Sequence, residues 1–234
     1  MFDDIATRLE HIPPKLLKKM LSGIVWEGTL ESGTMAITFD DGPDPDVTPA
    51  VLDACDEAGI RATFFMLGGQ VTKYPALARE VYERGHCIGC HSMTHRSLFL
   101  AGRREIEGEI KDSLAAIHDA TGVRARWFRP PYGLFDHTCI SVVKELGLTM
   151  VIWTVLAGDY SDDAPEKVLD RIDRYIAPGA IIVFHDTRGG GGVALPGIVH
   201  TTAERARERN VRAGGIDDLS LMVEMALDES DCDE

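Results

Sequence analysis

A chain of 234 residues is long enough for one large domain with a full core, and its 44% hydrophobic and 26% charged residues are those of an ordinary globular protein. A net charge of −14 excludes a nucleic-acid surface, which needs a basic face, and no run is long and apolar enough to span a bilayer. Five scattered cysteines, odd in number, make no disulfide framework; they fit reduced thiols and predict cytoplasmic residence, as does an N-terminus with Asp3, Asp4 and Glu10 where a secretory signal would be basic.

The first 34 residues form an N-terminal extension. Pro14 can open a helix over 15–25, with Leu16, Leu17, Met20, Leu21 and Ile24 on one side and lysines elsewhere. Such a helix packs against the main domain or plugs its bottom, the commoner fate. The alternative is a weak contact of residues 14–26 with an anionic membrane surface. From residue 35 to 227 short apolar runs alternate with amphipathic segments. The spacing predicts strands over 35–39, 62–66, 87–90, 126–128, 149–153 and 180–184. Helices are predicted over 48–58, 75–84, 103–121, 136–146, 165–176 and 194–209. Repeated βα units of this size imply an α/β fold with a parallel sheet, and six or more favour a barrel, closed or nearly so. Residues 228–234 hold five carboxylates and no base, and read as an acidic disordered tail.

The chemistry sits just after the predicted strands, where a βα barrel builds its mouth. Asp40 and Asp41 follow the first strand, His91 and His95 the third, Arg129 the fourth and His185 the last, with Asp159 on the loop after Trp153. On a helical turn the spacing of His91 and His95 would bring both imidazoles to one face, and a carboxylate beside them completes a divalent-metal set with positions left open. Adjacent carboxylates point opposite ways on an extended strand, but a kink through Gly42-Pro43 would turn both toward the mouth, one to ligate and one to act as base. Arg129, stiffened by the two prolines after it, suits a carboxylate, and His185 after Ile181-Ile182-Val183-Phe184 suits a general acid. Cys87-Ile88-Gly89-Cys90-His91 spells a haem attachment sequence, but without an export signal the cysteines read as strand residues. Arg188 and the four glycines after it lack the Lys-Ser/Thr of a phosphate loop and read as a mobile loop.

Five ordered motifs carry a resemblance across most of the length. They are Thr38-Phe39-Asp40-Asp41-Gly42, His91-Ser92-Met93-Thr94-His95, Arg129-Pro130-Pro131-Tyr132-Gly133, the stretch from Trp153 to Asp159-Tyr160, and Val183-Phe184-His185. They resemble the polysaccharide deacetylase family with the NodB homology domain, carbohydrate esterase family 4. The resemblance implies a deformed (β/α) barrel of about seven parallel strands over 35–227 and a divalent metal, zinc first and Co²⁺ or Ni²⁺ as alternatives. It makes Asp40 the base, Asp41, His91 and His95 the metal ligands, Arg129 the group orienting Asp40, and His185, tuned by Asp159, the acid. Substrate contacts fall to Pro131, to Tyr132, whose backbone N–H would face the oxyanion, and to Val183, lining the acetyl pocket. The implied reaction removes an N-acetyl group from an amino sugar of a glycan. A small or lipid-linked cytoplasmic amide, or a catalytically dead glycan-binding module, is the alternative. This chain departs from the family pattern at Leu156, where an Asp is usual, and at Tyr160, where a Trp is usual, and both bear on sugar specificity.

Overall fold

The structure is a computed structural model that describes residues 23–161, 163–188 and 194–219. Nine strands among these residues form one parallel sheet: β1 Ile24–Val25, β2 Thr34–Asp40, β3 Thr63–Met66, β4 Cys87–Cys90, β5 Trp127–Phe128, β6 Thr149–Val151, β7 Val155–Leu156, β8 Ile181–His185 and β9 Arg212–Gly214. The strand order is β1-β6-β5-β4-β3-β2-β8-β7, with β9 on the first residues of β2. The sheet curls into a deformed barrel. Seven α-helices lie among the described residues: α1 Thr48–Ala58, α2 Gly68–Lys73, α3 Pro75–Glu83, α4 Arg103–Thr121, α5 His137–Glu145, α6 Pro165–Asp173 and α7 Leu195–Glu208. Because every ladder is parallel, all strands end at one rim.

Several elements differ from expectation. The helix anticipated over 15–25 does not reach its end as a helix: Ile24 and Val25, β-branched, pair with Met150 and Val151 as strand β1. The sheet therefore starts inside the stretch assigned to the N-terminal extension, while residues 15–22, the acidic tail and Gly189 to Gly192 lie outside the described residues. The strand anticipated over 149–153 stops at Val151, and α6 stops at Asp173 rather than at residue 176. Helix α2 was not anticipated, since Gly68-Gly69 is poor helix material. Its glycines are required by close packing: a Cβ at Gly68 would lie 2.6 Å from the Met93 sulfur and from the Ser113 backbone.

The period of two along β2 divides the molecule. Met35, Ile37 and Phe39 face the helices, and Phe39 stacks on Phe64 and Phe184 at 4.7 and 5.8 Å between ring centroids. Ala36, Thr38 and Asp40 face the barrel interior. Low in that interior Ala36, Phe65, Trp127, Val151 and Ile181 meet Ile216 and Leu219, which close the bottom, and the Ile216 N–H donates to Thr63 Oγ1 at 2.9 Å. Phe65 takes the space that a side chain at Gly89 would fill, since a Cβ there would lie 2.4 Å from its ring. The ring is thereby pressed toward Arg129, whose guanidinium carbon sits 4.0 Å from the ring centroid. Truncating Phe39 to Ala empties the heart of the outer layer. It should lower the unfolding free energy by about 3–5 kcal/mol in urea titration, whereas Leu30→Ala, at an exposed residue, should change it by less than about 0.5 kcal/mol.

Candidate metal and acid–base site

Asp40 is the last interior-facing residue of β2 and is buried. The kink that turns its neighbour toward the same space begins at Asp41, which takes a left-handed backbone, φ 77°, and continues into the Gly42–Pro43 bond, which is cis. The turn is backed by Asp186, which sequence reasoning did not single out. Its carboxyl lies flat on Gly42, where a Cβ would fall 2.2 Å from Oδ2, and it accepts from the Thr48 hydroxyl at 2.6 Å. Burial, reinforced by Asp41 and Asp40 and only partly opposed by that hydrogen bond, raises the Asp186 carboxyl well above the usual carboxylate range.

His91 follows β4, and its Nδ1 is 2.8 Å from the Arg129 carbonyl oxygen. With Nδ1–H donating there, the Nε2 lone pair points into the mouth. The helical spacing argument for His91 and His95 does not hold: residues 91–95 are an irregular loop in which Ser92 (φ 70°) and His95 (φ 60°) are both left-handed. The loop still brings the rings within 5.2 Å of each other. His95 Nε2 lies 3.1 Å and His91 Nε2 3.4 Å from Asp41 Oδ1. That buried oxygen has no hydrogen-bond partner. Three lone-pair atoms within 4.8 Å of one another, one of them an orphaned carboxylate oxygen, fit a shared divalent cation. Burial, aided by the neighbouring His91, lowers the His95 pKa, which favours the neutral imidazole that can ligate.

Arg129 runs up the barrel axis, fully buried. Its Nη1 donates to Asp40 Oδ1 at 2.7 Å and to Thr38 Oγ1 at 2.8 Å, Nη2 to the Ile152 carbonyl at 3.2 Å and Nε to that of Val151 at 3.4 Å. Across the mouth, both Asp159 oxygens hold His185: Oδ1 is 2.9 Å from Nδ1, and Oδ2 accepts the backbone N–H at 2.7 Å. Burial alone would lower the His185 pKa. The Asp159 pair, with Asp41 and Asp40 nearby, outweighs it and lifts the pKa to about 9.

The remaining anticipated residues line the same rim. Pro131 is buried, and Tyr132, left-handed at φ 60°, is 44% exposed with its ring 4.6 Å from that of His95. Val183 faces the interior between Thr38 of β2 and Leu156 of β7, its partners in register. Tyr160 sets its ring edge-on to His185 at 5.2 Å. Cys87 and Cys90 fall on opposite sides of β4, Cys87 against the barrel interior and Cys90 in the helix-side core, so they cannot both reach one haem. Sequence reasoning also missed Glu109 of α4, whose carboxylate meets the loop between the histidines.

A parallel barrel whose rim gathers a cation-fitting triad, a base-like carboxylate locked by arginine and a carboxylate-backed imidazole defines a hydrolytic metal-site class. A family model described as polysaccharide deacetylase matches residues 27–151, and the chain belongs to that family. It is 36% identical over 160 residues to a chitooligosaccharide deacetylase of Sinorhizobium fredii, covering 66% of this chain and 74% of that relative. It is 32% identical over 185 residues to the peptidoglycan-N-acetylglucosamine deacetylase of Listeria monocytogenes; this covers 79% of the chain but spans only 38% of the relative. Among solved structures, a family 4 carbohydrate esterase from Streptomyces lividans, in complex with acetate, matches at 30% identity and a TM-score of 0.74, over 80% of this chain and 94% of that one.

The buried ion pair makes a stability prediction. Arg129→Met strands the Asp40 charge and should cost about 3–5 kcal/mol in urea unfolding. Adding Asp40→Asn removes that charge and should restore most of the loss; equal instability of the double variant would show that packing, not charge, dominates.

Proposed function

We propose that this chain hydrolyses the N-acetyl amide of an amino sugar in a glycan, with N-acetylglucosamine oligomers as the substrate class. The observation that carries the reading is the convergence of Asp41, His91 and His95 beside an Asp40 carboxylate held by a buried arginine. Asp41, His91 and His95 would hold a divalent cation, zinc in this reading with Co²⁺ or Ni²⁺ as alternatives, which supplies Lewis acidity toward the attacking water and the amide carbonyl.

The chain's own groups do the rest. Asp40 accepts a proton as the water oxygen bonds to the amide carbon, and Arg129 keeps that carboxylate pointed at the mouth. The Tyr132 N–H faces the charge that develops on the carbonyl oxygen. His185, charged and backed by Asp159, gives a proton to the leaving nitrogen as the C–N bond breaks, so acetate and a free amine form. Val183, with Leu156 beside it, supplies an apolar wall for the acetyl methyl, and Pro131 shapes the rim. The substrate class draws on the names of the Sinorhizobium and Listeria relatives, of which the chain spans 74% and 38%. Residence in a reducing compartment such as the cytoplasm is supported by the free thiols Cys55, Cys87, Cys90 and Cys139. No helix among the described residues is long and apolar enough to cross a membrane.

Acetate release from chito-oligomers should vanish on thorough chelation and return with Zn²⁺ or Co²⁺; turnover indifferent to metal removal would overturn the reading. Asp40→Asn should lower kcat by about 10²–10⁴-fold while the bound-metal stoichiometry is unchanged.

The pH profile follows from His185. Its raised pKa keeps the imidazolium populated below that value and loses it above, so the rate falls on the alkaline side. A cation at Asp41 offsets part of the carboxylates' pull, which puts the limb of the loaded protein between the ordinary 6.5 and about 9. Asp159→Asn should move that limb down by about 1–3 pH units.

A further inference from the structure

We propose that Glu109, on α4 and outside the triad and the acid–base pair, is the positioning residue that holds His95 in metal-binding geometry, resting on the assignment of His95 as a ligand. The loop from His91 to His95 cannot hold its shape by itself. Two of its five residues, Ser92 and His95, sit in the left-handed region, where a non-glycine backbone costs of order 1 kcal/mol or more. Its one internal polar contact is the His95 N–H donating to Ser92 Oγ at 3.2 Å.

The rest of its backbone is captured from outside, in two halves. Its acceptors go to α2: the Ser92 and Met93 carbonyls receive the Gly68 and Gly69 N–H groups, each at 2.9 Å. Of its donors, the His91 N–H goes to the Met66 carbonyl at 2.9 Å, and those of Met93 and Thr94 go to one side chain. Glu109 Oε2 accepts the Met93 N–H at 3.0 Å and the Thr94 N–H at 2.9 Å, and Oε1 accepts the Thr94 hydroxyl at 2.7 Å. Three bonds to one ionised carboxylate are of the stronger, charge-assisted kind. The carboxylate comes from a rigid source, since Ile106, Ile110 and Ser113 bury the inner face of α4.

Both oxygens are used as acceptors, so the chemistry demanded of residue 109 is narrow. Glutamine can keep the two amides on its carbonyl oxygen and turn its NH₂ to the Thr94 hydroxyl as a donor, but it loses the charge that strengthens all three bonds. Aspartate is one methylene short. Glu109 bonds the loop and none of the cation-fitting atoms, so its influence on them runs through the loop.

The experiment uses the full chain in two states. In the metal-free protein, amide hydrogen exchange at Met93 and Thr94 should quicken at least about tenfold in Glu109→Ala, with Glu109→Gln in between. In Zn²⁺ titrations against a chromophoric chelator, Glu109→Ala should weaken binding about 10–100-fold. The same change made on a His95→Ala background should weaken it no further, because the group it acts through is gone. Unchanged exchange at residues 93 and 94, or an equal loss of affinity on both backgrounds, would overturn the proposal. Should the wild type bind no metal while exchange responds as stated, the ligand assignment falls and the loop-holding role of Glu109 stands. If Glu109→Ala does not fold, the graded response of Glu109→Gln against wild type decides the matter by the same two readouts.

Discussion

The Arg129–Asp40 pair is the interaction on which the interior is organised. A guanidinium with no exposed surface is tolerable only if its charge is matched and its N–H groups are used, and the fold provides for both. Strand β2 brings Thr38 and Asp40, the end of β6 and the residue beyond it present carbonyls, and Phe65 offers a ring face. Gly89 has no side chain so that Phe65 can reach that position. A lysine could match the charge but not the fork of four simultaneous bonds. Much of the upper barrel is therefore constrained by one side chain three strands away from the carboxylate it orients.

Backbone strain at the rim is the second theme. Asp41, Ser92, His95 and Tyr132 are all non-glycine residues with left-handed φ, and all lie on loops leaving strand ends. Such conformations persist where the surroundings over-determine them. Here those surroundings are the buried Asp186 carboxyl behind the first turn, the α2 amides and Glu109 around the second, and Trp153 against Gly133 at the third, where a Cβ would lie 2.5 Å from the indole. A site built this way is organised before any ligand arrives, at a cost carried by packing elsewhere.

What the sequence made legible follows from the same physics. Asp40, Asp41, His91, Arg129 and His185 could be gathered at one rim because each follows an apolar run, and parallel strands end together. The relation of His91 to His95 was misread as a helical turn, since spacing alone does not distinguish a turn from a loop held by partners far along the chain. Strand β1 was hidden because two residues show no period, and its neighbour β6 lies more than a hundred residues away. Glu109 looks like any solvated glutamate on an amphipathic helix; only the approach of Met93 and Thr94 gives it a task. Asp186 was visible beside His185, but nothing in its neighbours in sequence reveals that it abuts Gly42.

The floor of the barrel has a consequence for the order of assembly. Ile216 and Leu219 pack beneath Ala36, Phe65, Trp127, Val151 and Ile181, which come from five different strands, and the Ile216 N–H is held by Thr63. The lower interior is therefore completed by a segment that follows every strand it covers, so this part of the core closes only after nearly the whole sheet has been made.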